Sequence, residues 1–378
     1  MDQFITGTGD RDTSTAKPVT LFDMLDTLPC NKTVADNFTI AWSKINSPLY
    51  KKILATISGG SDSDVMLDIL AKCDKNKKVE YVFCDTGLEY QATKDHLDEL
   101  EKRYGITINR VRPKWPIPLA VRKYGQPFLN KRPVSVYMER LQKHGFKWED
   151  KPYEELMEEY PNCKSALGWW CNKHQSDQFN IRHNKFLKEF IIANPPTFRI
   201  SAKCCDKSKK SIVHEFMNSG KYDLDVYGVR KAEGGARATA YHSCFNCSAQ
   251  GDYDEYRPLY WYKNADKEEY CEACNITHSE AYTTYKLPRT GCAGCPFGRN
   301  FEEELAVMEK YDPKLYQAAN NIFRESYEYT RAYRRFVEEQ SSPAPVTGIK
   351  PKAEDKERYA EYRQLTIFDI FPGIVTAG

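Results

Sequence analysis

The amino-acid sequence predicts an α/β fold with a doubly wound, mainly parallel sheet, a helical insertion and a helical C-terminal extension. Short apolar runs at 53–57, 79–84 and 106–111 indicate strands, and apolar residues repeat at helical spacing over 65–73 and 92–104. A glycine-rich turn joins the first strand to the first helix. This β-α-β-α-β order implies parallel strands joined by right-handed crossovers.

The second half of the chain predicts an insertion followed by a return to the sheet. The pattern from about 115 to 195 is helical and aromatic. Residues 197–202 and 225–229 have the composition of later strands, with a helix expected over 211–219 between them. Residues 301–339 form a charged stretch of helical periodicity.

Composition excludes several classes of protein. The 378 residues carry 55 Lys+Arg against 53 Asp+Glu, so the net charge of +2 argues against a protein that coats a polyanion. No apolar run approaches the ~18 residues of a membrane span, and the N-terminus lacks the pattern of a secretory signal. We therefore expect no membrane association and a cytoplasmic location, where the 13 cysteines serve metal, cluster or catalytic roles rather than disulfides.

The glycine-rich turn has the properties of a phosphate-binding loop. Glycines let the backbone approach an anion closely, and the start of the following helix presents unpaired N–H groups. The turn lacks the pattern of a Walker A loop or of a dinucleotide-binding GxGxxG turn. The alternative interpretation is an ordinary strand-to-helix turn. The candidate phosphate-binding residues are Ser58, Gly59, Gly60, Ser61, Asp62 and Ser63.

Several motifs resemble those of one enzyme superfamily. The SGGSDS turn resembles the pyrophosphatase (PP) loop of the adenine nucleotide α-hydrolases. The DTG segment at 85–87 resembles that of the branch containing phosphoadenosine phosphosulfate (PAPS) reductase. The GVR segment at 228–230 with Glu233 and Arg237, the PLxW segment at 258–261 and RTGCAGCPF at 289–297 are similar to further motifs of that branch.

The resemblance implies a set of site residues. Asp85, Thr86 and Gly87 would join the loop in binding ATP or a sulfonucleotide, and Asp62 and Asp85 would hold Mg²⁺, since hard cations prefer oxygen ligands. Arginine stays protonated and suits developing phosphate charge, although a lone arginine is more often a surface salt-bridge partner. The candidate catalytic residues are Asp62, Lys209, Arg230, Arg237 and Arg289.

The composition and periodicity of the chain, together with this resemblance, predict the domain organisation. We expect an N-terminal extension over 1–50, a PP-loop nucleotide-binding domain over 51–300 with its insertion at about 115–195, a helical extension over 301–339, a linker over 340–363 and a tail over 364–378.

Two cysteine pairs form a candidate metal centre. Cys204 and Cys205 are adjacent, and Cys292 and Cys295 form a distant CxxC. Four thiolates on two anchors suit a [4Fe–4S] cluster or a Cys₄ zinc ion. The arrangement resembles the cluster ligands of iron–sulfur sulfonucleotide reductases and sulfur-transfer enzymes, and Lys209 matches their CCxxxK pattern, so the cluster is favoured over zinc.

The remaining cysteines give weaker predictions of a metal site. Cys244, Cys247, Cys271 and Cys274 have a spacing that suits a second zinc site, but we favour packing roles. The other five cysteines are expected to be buried as small apolar residues: Cys30, Cys73, Cys84, Cys163 and Cys171.

Two departures from the PAPS reductases shape the expected function. Those enzymes use a cysteine in a C-terminal tail and have a degenerate loop, whereas this chain has an intact SGGSDS and no cysteine after Cys295. The pattern favours an enzyme that cleaves ATP to AMP and pyrophosphate and activates a substrate for sulfur transfer. The alternatives are a PAPS or adenosine phosphosulfate reductase, and a non-enzymatic accessory protein that binds nucleic acid or a sliding clamp and uses a nucleotide as a switch.

Two segments suggest macromolecular partners. From Ile106 to Met138 there is no Asp or Glu, while basic residues lie beside Trp115, Tyr124 and Phe128. This combination suits DNA or RNA, or else the mouth of the nucleotide site. The tail 364–368, QLTIF, resembles the peptide by which bacterial proteins bind the replication sliding clamp.

Overall fold

The computed structural model describes residues 20–219, 221–234, 240–247 and 253–341. The chain divides into two compact units, Met1–Arg331 and Ala332–Gly378. Of the second unit, the structure describes only the helical residues 332–341. Residues 342–363 of the predicted linker, the tail 364–368 and Arg237 lie outside the described residues, whereas residues 340–341 belong to the last described helix.

The sheet confirms the predicted fold class. Its strand order is β3-β2-β1-β4-β6-β5. All neighbouring strands are parallel except the antiparallel edge pair β5 and β6. The strands are β1 (Ile53–Ile57), β2 (Val79–Cys84), β3 (Ile108–Val111), β4 (Leu224–Tyr227), β5 (Phe245–Asn246) and β6 (Asp254–Tyr256).

The helices surround the sheet and fill the insertion. The first four are α1 (Leu21–Leu25), α2 (Lys32–Ile45), α3 (Ser61–Cys73) and α4 (Gln91–Tyr104). The insertion contributes α5 (Ile117–Tyr124), α6 (Val136–Lys143), α7 (Tyr153–Glu159), α8 (Lys164–Trp170) and α9 (Leu187–Ala193). The remainder are α10 (Lys203–Cys205), α11 (Ser211–Asn218), α12 (Asn264–Ala273), α13 (Glu280–Thr283), α14 (Phe301–Tyr311) and α15 (Pro313–Ser341).

The apolar sequence of β1 explains why the sheet core forms here. Four of its five residues are buried, as expected for a parallel strand covered on both faces. The helices α2 and α3 contribute buried residues to the same core cluster. Because β1, β2 and β4 are parallel, the loops that follow them meet at one edge of the sheet, where ligands bind in open α/β sheets.

Two predictions about the later elements are wrong. Residues 197–202 form no strand; they contribute a single bridge between Gln126 and Ile200. The backbone N–H of Ile200 donates to the Gln142 side chain and not to a strand of the sheet. Cys204 and Cys205 consequently lie in the short helix α10, not at the end of a strand.

Two further predictions are refined. The helical stretch 301–339 is two helices, because α14 ends at Tyr311 and Pro313 begins α15. Cys30 is exposed, not buried, since it lies in the loop before α2.

Within the described ranges, none of the helices combines the length and the apolar character needed to cross a bilayer.

Candidate functional site

The SGGSDS turn is a tight connection from β1 to α3. The backbone N–H of Ser58 donates to Ser63 Oγ at 3.0 Å, which closes the turn. Gly59 has φ +65°, and a Cβ there would lie 2.6 Å from Thr93 Cγ2 on α4. Only glycine fits this conformation and this close approach. The turn leads into the N-terminal end of a 13-residue helix, which is the favoured place for an anion.

Two cations engage Asp62 in the first turn of α3. Lys267 Nζ lies 2.7 Å from Asp62 Oδ1 and 2.6 Å from Ser61 Oγ. Arg230 Nε donates to Asp62 Oδ2 at 2.9 Å. Burial raises the pKa of Asp62, but Lys267 and Arg230 outweigh burial and hold that pKa below its ordinary value. The carboxylate is therefore ionised and joins two basic groups beside the loop.

The GVR segment after β4 packs directly on the loop. A Cβ at Gly228 would lie 3.2 Å from the carbonyl oxygen of Asp62. Arg230 is buried and also donates to Asn264 Oδ1 at 2.9 Å. The structure thus places the predicted Arg230 at the loop, already paired with Asp62. Arg289 is exposed, one residue before Thr290.

The RTGCAGCPF segment reaches the other side of the loop. Tyr282 Oη accepts hydrogen bonds from the backbone N–H of Ser61 at 3.2 Å and from that of Thr290 at 3.1 Å. A Cβ at Gly60 would lie 3.2 Å from Thr290 Oγ1. Tyr282 and Thr290 therefore form one wall of the loop.

The loop after β2 is held by two carboxylates. Asp85 Oδ1 accepts from the backbone N–H of Gly87 at 3.0 Å, and Glu89 Oε2 accepts from the same N–H at 3.0 Å. The hydroxyl of Thr86 donates to Glu89 and lies 3.9 Å from the thiol sulfur of Cys292. The predicted residues 85–87 are thereby placed against the CxxC motif.

The four predicted ligand cysteines come together near this second loop. Cys204 and Cys205 are adjacent in α10, and both interact electrostatically with Cys292. Cys204, Cys205 and Cys292 share one apolar cluster with Leu88. Interaction with the neighbouring Cys204 thiol, together with the ammonium groups of Lys131 and Lys209, outweighs burial and lowers the pKa of Cys205 to about 6.

Lys209 supplies positive charge among these thiols. Burial lowers its pKa, but Cys292 and Glu89 outweigh burial, so the pKa of Lys209 is raised and the ammonium stays charged. Burial raises the pKa of Glu89, the carboxyl group that interacts with Lys209. The group combines four sulfur donors with one fixed cation.

The donor sets differ in how well they fit a metal. In the described part of the chain, no three His, Cys, Asp or Glu side chains are arranged as ligands of one ion. Both oxygens of Asp62 already contact cations, so Asp62 and Asp85 do not fit the predicted Mg²⁺ and we derive no step through it. The four cysteines supply the sulfur donors that a [4Fe–4S] cluster requires. A cluster also separates its cysteine ligands more widely than one zinc ion, which has Zn–S bonds of ~2.3 Å.

The alternative zinc site does not form. Cys271 contacts His278, and Cys274 contacts Lys72. Among the described residues, these two cysteines form no metal-ligand group with Cys244 or Cys247.

The acid-free segment has a basic and aromatic surface. Lys123 Nζ lies 3.9 Å from the ring centroid of Trp115 and 5.4 Å from that of Tyr124, and Lys203 lies 5.5 Å from the Tyr124 ring. Several nearby basic residues are neutralised: Arg110 by Glu101, Lys131 by Asp206 and Lys203 by Glu139. The basic–aromatic patch is therefore Trp115, Lys123 and Tyr124.

Sequence patterns missed four residues of the site: Lys267, Tyr282, Thr290 and Glu89. Thr290 and Glu89 lie inside motifs that were recognised, between residues with more familiar chemistry. Lys267 lies in a charged helix and Tyr282 in an aromatic-rich segment, and only the fold brings them to the loop.

Comparison with known proteins agrees with the motifs. Residues 52–161 match the family model of the phosphoadenosine phosphosulfate reductase domain. An uncharacterized protein of Methanocaldococcus jannaschii is 33% identical over 198 residues, which cover 49% of this chain and 39% of that protein. Adenosine 5'-phosphosulfate reductase 2 of Bacillus subtilis is 33% identical over 76 residues, 20% of this chain and 31% of that protein. The chain thus spans less than half the length of these curated relatives.

Solved structures show only weak similarity. A PAPS reductase from Candida auris has a TM-score of 0.34 at 13% identity, covering 70% of this chain and 90% of its own. A U34-tRNA thiolase from Methanococcus maripaludis, solved with its [4Fe–4S] cluster, has a TM-score of 0.33 at 14% identity. The match covers 85% of this chain and 84% of the thiolase chain. These similarities are too low to carry an argument about chemistry.

The domain match agrees with the resemblance inferred from the motifs. Over residues 52–161, this chain is similar to the phosphoadenosine phosphosulfate reductase domain.

Proposed function

We propose that this chain is an enzyme that binds ATP at the loop 58–63, cleaves it to AMP and pyrophosphate, and so activates a substrate for sulfur transfer. One observation carries the proposal. Thr290 contacts the loop at Gly60, and Cys292, two residues later, contacts Thr86 beside the cysteine group. A single short segment thus joins a phosphate-binding turn to a set of thiols.

The charges at the loop suit triphosphate cleavage. Lys267 lies between Ser61 and Asp62, where it can donate to a phosphate oxygen without leaving α12. Arg230 stays charged and is fixed by Asp62 and Asn264. With Arg289 and Arg237, these cations would stabilise the charge that develops on the departing pyrophosphate. Asp62 has the role of holding two of them in place.

The cysteines are proposed as cluster ligands. Cys204, Cys205, Cys292 and Cys295 would hold a [4Fe–4S] cluster, which supplies electron or sulfur chemistry when bound. Lys209 would offset the negative charge of the thiolates, and Thr86 and Glu89 would position the wall that carries Cys292.

The basic–aromatic patch supports a nucleic acid as the sulfur acceptor. A lysine beside two aromatic rings, Lys123 with Trp115 and Tyr124, suits a phosphate backbone with stacked bases. A single-stranded oligonucleotide should bind with an affinity that falls with salt and falls further in Trp115→Ala/Lys123→Ala. The matched control is Trp42→Ala/Lys75→Ala, which removes another lysine–tryptophan contact. Equal binding by both double variants would reject the patch. Sliding-clamp binding by 364–368 stays a prediction.

Product analysis tests the activity. Anaerobically purified protein is incubated with ATP, or with PAPS and a thiol reductant, and the products are separated. We expect AMP and pyrophosphate from ATP in equal amounts. Sulfite release from PAPS without ATP cleavage would instead identify a reductase, and tight ATP binding with neither product would identify a nucleotide switch.

A further inference from the structure

A cysteine, a histidine and an aspartate form a hydrogen-bonded row next to the loop. Cys271 Sγ lies 3.6 Å from His278 Nε2, and His278 Nδ1 lies 2.7 Å from Asp64 Oδ2. Asp64 is fully buried in α3, two residues after Asp62. The row has the order of nucleophile, base and orienting carboxylate that is typical of base-assisted thiols.

The carboxylate selects the histidine tautomer that a base requires. Asp64 accepts a hydrogen bond at Nδ1 of His278, so Nδ1 carries the proton and Nε2 presents a lone pair to the Cys271 thiol. The second oxygen of Asp64 contacts His96 Nε2 at 3.0 Å, which fixes the carboxylate in place.

The surroundings keep the Cys271 thiol protonated, so that its reaction requires a base, and the nearby charge of Lys267 favours an anion. Burial, with Asp64 and Asp62, raises the pKa of Cys271 to about 11 although Lys267 acts to lower it. Lys267 and Cys271 lie four residues apart on α12, so they share one face of that helix. The thiol is half-buried, and the His278 side chain is 22% exposed, which leaves access for a small reactant.

We propose that Cys271 is a covalent site that accepts a sulfane sulfur from a hydropersulfide donor, R–S–SH, with His278 as general base and Asp64 as positioning residue. The proposal goes beyond ATP cleavage and does not depend on it.

The step conserves atoms and electrons. His278 Nε2 takes the Cys271 proton as the sulfur attacks the terminal sulfur of the donor. The donor S–S bond breaks, its electron pair leaves on the R–S sulfur, and His278 returns the proton to that sulfur. The products are Cys271–S–SH and R–SH, with no net oxidation.

The site suits a sulfane sulfur better than a carbon electrophile. A persulfide is more acidic than a thiol, so the product ionises at a lower pH than the original thiol. The resulting anion would lie beside Lys267 and His278, which stabilise negative charge.

The test compares two cysteines of the same molecule. The full chain is treated with an alkyl hydropersulfide in the absence of ATP, quenched, digested and analysed by mass spectrometry for a gain of about 32 Da, one sulfur atom. Cys30 is exposed and serves as the internal reference. We expect Cys271 to gain sulfur at least about tenfold faster than Cys30, as general-base assistance allows. A Cys271 rate equal to or below that of Cys30 would overturn the proposal.

Three variants separate assistance from packing. His278→Gln and Asp64→Asn should each slow the Cys271 reaction about tenfold or more while leaving the Cys30 rate unchanged. Cys274→Ser, three residues from Cys271, is the matched control and should leave both rates unchanged. An unchanged Cys271 rate in His278→Gln would also overturn the proposal. The wild-type ratio decides the question if a variant does not fold.

Discussion

Lys267 and Asp62 form a 2.7 Å ion pair that joins α12 to the first turn of α3. The pair is mostly buried, since the side chains are 15% and 14% exposed. Ser61 accepts a second hydrogen bond from the same ammonium group. A lysine that no sequence motif marked is therefore the most direct cationic contact of the loop.

Replacing Lys267 by Ala should strongly reduce pyrophosphate release from ATP. The variant keeps the Arg230–Asp62 pair, so we expect a folded protein whose kcat falls about 10²–10³-fold through loss of charge stabilisation. Lys102→Ala, which removes an exposed lysine from α4, is the control. Steady-state pyrophosphate assays check the difference, and equal rates would contradict the assignment of Lys267.

Gly59→Ala should destabilise the fold more than Gly105→Ala. Both glycines have positive φ, +65° and +60°, but a Cβ at Gly105 meets nothing within 4 Å whereas one at Gly59 would clash with Thr93. We expect about 1–2 kcal/mol for the backbone conformation at either position and about 1–3 kcal/mol more at Gly59. Urea unfolding measures the loss of unfolding free energy in both variants. Equal losses would show that the Thr93 side chain moves aside without an energetic cost.

Tyr282→Phe should weaken ATP binding. The change removes the acceptor for the backbone N–H groups of Ser61 and Thr290, which costs about 1–3 kcal/mol when such groups are left unsatisfied. Tyr285→Phe keeps the ring that stacks on Tyr311 and serves as the control. Isothermal titration with a non-hydrolysable ATP analogue should show weaker binding for Tyr282→Phe alone; unchanged affinity would remove Tyr282 from the site.

Asp225 should make the fold less stable as pH rises. Burial, then Glu255, raise its pKa to about 7 against the opposing effect of Arg257, and its Oδ1 has no hydrogen-bond partner. The folded state therefore favours the protonated form. The contribution of Asp225 to the free energy of unfolding should be highest below pH ~4 and fall by on the order of 4 kcal/mol as pH rises to about 7.

Asp225→Asn provides the comparison for that pH dependence. The amide cannot ionise, so the difference in unfolding free energy between variant and wild type should grow in the variant's favour from pH 4 to pH 8. A difference that stays constant over this range would show that Asp225 does not titrate on unfolding.

Serine substitutions should distinguish the cluster ligands. Cys204→Ser and Cys292→Ser should each lose iron and the absorbance near about 400 nm of anaerobically purified protein. Cys163→Ser, at a buried cysteine of the insertion, should retain both. Stoichiometric zinc without iron in the wild type would contradict the cluster assignment.

The sequence predicted the parts of this molecule that local patterns encode. The apolar run of β1, the glycine turn and the amphipathic α4 are each specified within a few residues. The pairing of Lys267 with Asp62 spans 205 positions and that of Tyr282 with Ser61 spans 221, so it depends on how α12 and α13 pack. Such contacts leave no local periodicity to detect.

The wrong strand has an equally physical origin. Residues 197–202 have strand-like composition, but their single β-bridge is to Gln126 and they join none of the described strands. The side chain of Gln142 and the backbone of Gln126 satisfy the segment instead. Composition describes what a segment prefers, whereas the available partners decide what it forms.

The two peptide units between Thr290 and Cys292 act as a short tether. Fully extended, they hold the two Cα atoms within about 7 Å of each other. A molecule bound at the glycine turn beside Thr290 would therefore lie within a short reach of the backbone that carries Cys292.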